Sequence, residues 1–199
     1  MCKETKAQPG GFTILRDTAM LKSKLAAAAK QTLTIQSDFV QEKNLSVMSE
    51  KIITKGQFFF KRDNMLRWEY TDPFKYLIVM NKNKILVKDE NKEKKYDMQS
   101  NKMFQDINKM VIGSVQGKIF DTGDFKYHFY QNDKLYLVAL EPLSKNLKSY
   151  LKTIHIYFDK MHYGVSKLTM EELSGDYTNI IFSNRKENAE ISNEKFLIK

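Results

Sequence analysis

The chain has 199 residues, of which 42% are apolar and 29% charged, a composition typical of a folded protein rather than a disordered one. Lysine and arginine outnumber aspartate and glutamate by 33 to 24, which gives a formal net charge of +9. Such an excess suits nucleic acid, an anionic membrane surface or an acidic protein partner, although lysines spread along the whole chain are also typical of a solvated coat. No apolar run reaches the ~18–20 residues that a membrane-spanning helix requires.

Cys2 is the only cysteine, which excludes an intramolecular disulfide and cysteine-based metal sites. Its place one residue from the start is also that of a lipid-modified cysteine at the head of a mature lipoprotein. Such processing needs a preceding charged and apolar signal, and the sequence shows none. We therefore expect either that a signal peptide has been removed or that Cys2 is an incidental terminal residue.

Residues 1–11 show no periodicity and are predicted to be a disordered lead-in, followed by a single domain over residues 12–199. Asp17 can cap a helix that should end near Gln31, where β-branched residues take over. The apolar stripe of this helix consists of Leu21, Leu25, Ala28 and Ala29.

From residue 33 onward, large apolar side chains alternate with polar ones, as in half-buried strands. Residues 37–80 read as four consecutive strands of this kind. One face of the predicted sheet collects five large side chains: Phe58, Phe60, Leu66, Trp68 and Tyr70. Phe59, Arg67 and Glu69 fall on the opposite face, where Arg67 is expected to pair with a neighbouring carboxylate.

Polar turns divide the remaining sequence into short strands and two helices. The strands are predicted at residues 76–81, 84–88, 93–97, 125–130, 135–140, 154–158, 165–170 and 177–182. One helix covers residues 101–116, and a short second one is capped by Ser144 and runs through Leu151. The apolar face of the first is rich in methionine: Met103, Phe104, Ile107, Met110 and Val111. Together these elements predict a mainly β fold with α-helices, a curled antiparallel sheet that forms an incomplete barrel of about eleven strands covered by helices.

The sequence contains little that points to catalysis. His128 and His155 fall on predicted strands and His162 in a turn, without the spacing of metal ligands. Phosphate-binding loops and nucleophile motifs are absent from the sequence. We therefore predict a protein that is not an enzyme and that needs no metal or cofactor.

Three pieces of sequence stand in a recognisable order. They are F-V-Q at 39–41, K-R-D-N-M-L-R-W-E-Y at 61–70, and Pro73 followed by Y-L-I-V-M at 76–80. In order and spacing they resemble the signatures of the periplasmic outer-membrane lipoprotein carrier family (LolA-like), most strongly over residues 30–90. One departure is that Asp63 follows Arg62 where the family commonly has proline, which puts the bend after that strand in doubt.

The resemblance implies a monomeric periplasmic carrier that shields the acyl chains of lipoproteins in a hydrophobic cavity. Cargo would come from an inner-membrane ABC transporter and go to an outer-membrane receptor or membrane surface. From the residues alone, the five large side chains of the sheet and the methionine-rich helix form either a closed core or the lining of such a cavity. Methionine suits a surface that repacks around variable ligands. The resemblance also assigns Arg62 a latch role, in which it bonds backbone carbonyls of a lid helix, whereas the residues equally allow it to extend into solvent.

Two other functions fit parts of the sequence. The first is an outer-membrane acceptor lipoprotein of the same fold, acylated at Cys2. The second is a basic module that binds single-stranded nucleic acid by stacking bases on Tyr127, Phe129 and Tyr130. Because the aromatic residues occur among leucine, valine and isoleucine rather than among lysine and arginine, we favour lipid over nucleic acid.

Overall fold

The computed structural model describes residues 9–100, 105, 112–115, 119–121 and 123–198. Its strands are β1 (Thr13–Ile14), β2 (Thr34–Asn44), β3 (Ile52–Lys61), β4 (Met65–Asp72), β5 (Tyr76–Asn81), β6 (Lys84–Lys88), β7 (Glu93–Asp97), β8 (Phe125–Gln131), β9 (Leu135–Pro142), β10 (Leu151–Asp159), β11 (Val165–Glu172) and β12 (Tyr177–Glu187). They form one antiparallel sheet in the order β1-β8-β9-β10-β11-β12-β2-β3-β4-β5-β6-β7. Among the described residues this sheet stays open, with β1 and β7 as its two edges, so the predicted fold class is confirmed.

The strand predictions are confirmed over most of the chain. The bounds of β5, β6 and β7 are those predicted from the polar turns. About eleven strands are predicted and the described residues form twelve; the additional one, β1, is too brief to show periodicity. Its two residues pair with Gln131 and Tyr130 of β8.

Helix α1 (Thr18–Gln31) begins and ends where the sequence predicts. The backbone N–H of Met20 donates to the Asp17 carboxylate at 2.9 Å, which satisfies one of the free donors at the helix start. Helix α2 (Lys145–Lys148) is capped by Ser144, as predicted. The prediction that it runs through Leu151 is wrong, because Leu151 already belongs to β10 and pairs with Glu172 of β11.

Two apolar clusters cover one face of the sheet, which we call the inner face. In the first, Leu21 and Leu25 of α1 pack on β9 and β10. The second lies on β2 to β6 and includes the five large side chains predicted to share a face. Leu168 and Met170 of β11 contact both clusters, so the two clusters are joined across β11.

The opposite, outer face carries a third apolar cluster, covered by the C-terminal residues. Phe59 lies here, as predicted, and packs with Val79, Ile191 and Phe196. Phe196 is fully buried, and burying a phenylalanine side chain contributes about 1.5–3 kcal/mol. The C-terminal residues therefore cover the outer face of strands β3 to β6 and stabilise it.

The predicted helix at 101–116 is described only at residues 105 and 112–115, and these are helical. Ile112 is buried against the inner-face cluster. Met103, Phe104, Ile107 and Met110 lie outside the described residues, as do Cys2 and residues 1–8, so their predicted roles stay predictions. Within the described part of the chain, no helix is long and apolar enough to cross a membrane.

Candidate functional site

Trp68 lies at the centre of an aromatic cluster on the inner face. Antiparallel pairing sets Phe58 of β3 directly opposite Trp68 of β4, and their ring centroids are 5.2 Å apart. The Trp68 ring also lies 5.3 Å from that of Phe39 and 6.0 Å from that of Phe182. Tyr70 extends the cluster, with its ring 5.1 Å from Phe39. Edge-to-face contacts of this kind add to the stability that burial itself provides.

The five predicted side chains do not occupy equivalent positions in this cluster. Phe58 and Trp68 line a cavity, together with Phe182, Leu168 and residues 114–115. Phe60 and Leu66 are almost fully buried, at 1% and 2% exposure, and pack as core. Sequence reasoning therefore identified the face correctly but could not separate cavity wall from core.

The cavity is small, with a volume of about 60 Å³. Sites that enclose a ligand of drug size usually measure about 300–1,000 Å³. The side chains of the inner face thus fill most of the space between them in this structure. An acyl chain can enter only if the wall side chains move apart or α1 moves away from the sheet.

Trp68 also brings an unsatisfied polar atom to the cavity wall. Its indole Nε1 is buried and has no hydrogen-bond partner in the part of the chain that the structure describes. A buried donor without an acceptor costs about 1–3 kcal/mol.

Tyr70, by contrast, has a partner for its hydroxyl group, which donates to Gln41 Oε1 at 3.0 Å. Burial raises the pKa of Tyr70 to about 12, helped by the neighbouring Tyr76 and opposed by the hydrogen bond to Gln41. The phenol therefore stays neutral at physiological pH and adds no charge to the apolar face.

Arg62 connects the end of β3 to the C-terminus of α1. Its Nη2 donates to the backbone carbonyls of Ala29, Lys30 and Thr32 at 3.1, 2.7 and 2.9 Å. The last carbonyls of a helix lack partners within the helix and carry partial negative charge, so a guanidinium is a favourable partner. Although the side chain is exposed, it is held against α1 rather than extended freely into solvent.

The turn after Arg62 has a backbone conformation that proline at position 63 could not adopt. Asp63 and Asn64 have φ angles of 73° and 61°, in the left-handed region. Proline is restricted to φ near −65° and could not occupy position 63 of this turn, whereas aspartate and asparagine tolerate positive φ.

His128 and His155 lie on strands and His162 lies in a turn, as predicted. His128 Nε2 lies 3.0 Å from Glu141 Oε1, and His155 is two strands away on the outer face. Burial lowers the pKa of His155, an effect that Glu171 opposes and Lys167 increases. No group of three or more His, Cys, Asp or Glu side chains among the described residues could hold a metal ion.

The aromatic residues considered for stacking on bases do not share an exposed surface. Tyr127 and Phe129 point to the inner face, where their rings lie 5.5 and 5.7 Å from that of Phe120. Tyr130 takes the opposite face, beside His128. This arrangement disfavours a platform for nucleic-acid bases.

One end of the sheet exposes apolar side chains, a feature that sequence reasoning missed. Val47 and Met48 lie in the β2–β3 connection and Phe74 in the β4–β5 connection, with exposures of 91%, 46% and 44%. Because successive hairpins alternate between the two ends of an antiparallel sheet, both connections lie at the same end. Leu173 of the β11–β12 connection adds a further exposed side chain there, at 60%. We call these four residues the apolar end.

Known structures share this fold. An uncharacterized conserved protein from Thermus thermophilus aligns with a TM-score of 0.53 and 7% identity, covering 91% of this chain and 93% of that one. A DUF1329 family protein from Desulfovibrio piger aligns with a TM-score of 0.51 and 12% identity, covering 90% and 96%. A chain of the MucA/MucB complex from Pseudomonas aeruginosa aligns with a TM-score of 0.52 and 12% identity, covering 92% of this chain and 61% of that one.

At such identities these alignments show a common fold alone. No curated protein matches the sequence. The sequence model of one family, described as outer membrane lipoprotein carrier protein LolA, matches residues 30–199. That match takes in the cavity wall and Arg62. The chain therefore belongs to the LolA family of outer membrane lipoprotein carrier proteins.

Proposed function

We propose that this protein is a periplasmic carrier that shields the acyl chains of lipoproteins against its inner face. The observation that carries the proposal is the large apolar cluster around Trp68 on the inner face of an open sheet, in a chain of the lipoprotein carrier family. Moving an acyl chain out of water gains about 0.8 kcal/mol per CH₂ group, or about 10 kcal/mol for a long chain. A cargo with several chains therefore needs a protein cover to cross the periplasm.

Loading requires the inner face to open, because the 60 Å³ cavity is too small for an acyl chain. We assign the acyl-binding role to Phe58, Trp68 and their neighbours on β3 and β4, and to the methionine-rich segment at 103–110. Arg62 would act as the latch: its three hydrogen bonds hold the C-terminal end of α1 while the cavity is empty. Cargo would displace α1 and break these bonds.

The proposed route runs from an inner-membrane ABC transporter to an outer-membrane receptor or the membrane itself. The sequence has no nucleotide-binding motif, so the work of loading would come from the transporter. We propose that the protein travels as a monomer and that the apolar end makes contact at delivery. Its exposed side chains and the net charge of +9 both suit an anionic lipid surface.

Trp68 provides a direct test, since it is the single tryptophan of the chain. Stearate with bromine atoms on its chain quenches tryptophan emission only at contact distance. Titration with dibromostearate should quench Trp68, whereas unbrominated stearate should bind equally well without the same loss of signal. The Trp68→Phe variant, followed with an apolar dye, provides the control for binding without the reporter. Absence of quenching and of dye uptake would contradict the proposal.

A further inference from the structure

A β-bulge changes which side chain of β12 reaches the inner face. In the pairing of β12 with β2, Ser183 lies opposite Asp38 and Lys186 opposite Gln36. Two residues of β12, Asn184 and Arg185, therefore stand against the single Ser37. Such an extra residue reverses the in–out alternation of the strand beyond it, and bulges often re-aim a side chain next to a functional site.

The reversal turns Asn184 outward and Arg185 inward. Ile180 and Phe182 face the inner cluster, so regular alternation would place residue 184 there next. Instead, Asn184 has a φ of 51° and its Nδ2 donates to Asp38 Oδ2 at 2.7 Å. Arg185 lines the cavity with Phe58, Trp68 and Phe182.

The guanidinium of Arg185 is held in place on one side only. Its Nε donates to Glu187 Oε1 at 2.7 Å, and the side chain is 25% exposed. Gly164 makes room for it, because a Cβ at this position would stand 2.9 Å from Arg185 Nε and 3.1 Å from Cζ. Among the described residues, Nε makes the hydrogen bond recorded for this side chain, and none is recorded for Nη1 or Nη2. A mostly buried cation with free donors beside an apolar wall favours the binding of an acceptor.

Arg185 also occupies the boundary between the cavity and the cover. A second small space, of about 20 Å³, joins Arg185 and Glu187 to the C-terminal end of α1 at Ala28, Ala29 and Thr32. Arg62 holds this same end of the helix. Arg185 therefore lies between the C-terminal end of α1 and the aromatic wall of the cavity.

We propose that Arg185 anchors the anionic head of an amphiphile, a carboxylate or a phosphate, whose acyl chain lies against Trp68 and Phe182. Because the chain would occupy the cavity described above, this inference rests on the proposed function and adds a second cargo class, single-chain anionic lipids. Arginine presents a planar pair of donors that matches carboxylate and phosphate oxygens.

The test compares ligands of one chain length with different heads: dodecanoate, dodecyl phosphate and dodecanol. Their affinities are measured by displacement of neutral phenylnaphthylamine from the full chain. Wild type should bind the two anionic ligands about tenfold more tightly than dodecanol, the gain of one charge-assisted hydrogen bond or more. Arg185→Gln should remove this preference, so that the three ligands bind with similar affinity.

Glu187→Gln provides a change in the opposite direction. Glutamine keeps an oxygen that can accept from Arg185 Nε but removes the negative charge next to the bound head, so both anionic ligands should bind more tightly. A purely structural role of the Arg185–Glu187 pair predicts no such gain. Glu187→Gln therefore also tests the proposed anchor if Arg185→Gln does not fold.

The results separate the anchor from the carrier function. Equal affinity of wild type for all three ligands, or an unchanged preference in Arg185→Gln, would overturn the anchor and leave the carrier proposal standing. Failure to bind any of the three would overturn both. Displacement by inorganic phosphate or acetate alone would show an ion site without a lipid role and would also overturn the anchor.

Discussion

The ring of Phe39 lies against the backbone of β3 at Gly56. A Cβ at Gly56 would stand 2.8 Å from Phe39 Cζ and would clash still more severely with the backbone carbonyl oxygen of Glu69. The aromatic cluster can therefore pack this closely on the sheet only because residue 56 has no side chain. This contact also sets how far Phe39 reaches toward Trp68.

Gly56→Ala should destabilise the protein, because the added methyl group forces Phe39 and the β3–β4 pairing apart. Overpacking of this kind costs about 1–3 kcal/mol in free energy of unfolding, which urea denaturation measures. Gly10→Ala is the matched control, since nothing lies within 4 Å of its added Cβ. Its effect should stay below about 1 kcal/mol. Equal effects of the two substitutions would contradict this account of Gly56.

Arg62→Leu should weaken the hold on α1 and open the cavity. We expect faster and greater uptake of an apolar fluorophore, with a loss of stability of about 1 kcal/mol because the lost hydrogen bonds are partly exposed. Arg67→Leu is the control on the outer face, where Arg67 pairs with Glu69 at 2.8 Å and donates to the Lys195 carbonyl at 3.2 Å. It should lower stability without changing uptake. The latch idea is wrong if Arg62→Leu leaves both uptake and cargo transfer unchanged.

His155 should make stability depend on pH near neutrality. Burial lowers its pKa in the folded state below the ordinary value of 6.5, so the unfolded chain binds the proton first as pH falls. The contribution of neutral His155 to folding stability is therefore complete above pH 6.5. It is lost as pH falls from 6.5 towards the folded-state pKa. Hydrogen bonds lower the pKa values of the Asp38 and Glu69 carboxyls. The stability that these carboxylates contribute is therefore lost only as pH falls below their ordinary pKa values of 3.8 and 4.5.

The check is a series of urea midpoints between about pH 5 and pH 7.5. His155→Gln should flatten the decline on the acid side. His162→Gln, at an exposed turn position, should leave the decline as in wild type. A decline that persists in His155→Gln would assign the effect to another group.

The apolar end should mediate contact with lipid. The double variant Val47→Asp, Met48→Asp removes two exposed apolar side chains, each of which contributes on the order of 1 kcal/mol to binding when buried at an interface. It also adds negative charge, which an anionic lipid surface repels. Binding to vesicles containing phosphatidylglycerol, measured by flotation, should fall by about tenfold or more. Met161→Asp is the control, because Met161 is 80% exposed in the β10–β11 connection at the opposite end of the sheet. Equal losses would show a nonspecific charge effect instead.

The local pattern of the sequence was sufficient to predict the sheet and its inner face. Alternation separates Phe58 and Phe60 from Phe59, and these side chains do take opposite faces. Polar turns such as residues 81–84 mark strand ends because they permit backbone angles that strands exclude. Such features depend on neighbours in sequence and can be read without knowing the fold.

Features that depend on distant pairing were not predictable. The inward direction of Arg185 results from a bulge against β2, about 150 residues earlier in the chain, and nothing in the sequence around residue 184 signals it. The acceptors of Arg62 are main-chain carbonyls of α1, which carry no sequence signature. Cover of the outer face by Phe196 likewise requires the C-terminal residues to return to β3–β6. The acyl-binding role of the predicted residues stays a prediction.

Within the part of the chain that the structure describes, β1 and β7 form the two edges of the sheet, which has a mechanical consequence. A closed barrel has a radius fixed by its number of strands and their stagger, so enlarging it means breaking hydrogen bonds between strands. A sheet with two free margins can uncurl by small changes of twist spread over all twelve strands, with every ladder intact. The curvature of the sheet is therefore elastic, and the space beside its inner face can change size without the loss of backbone pairing.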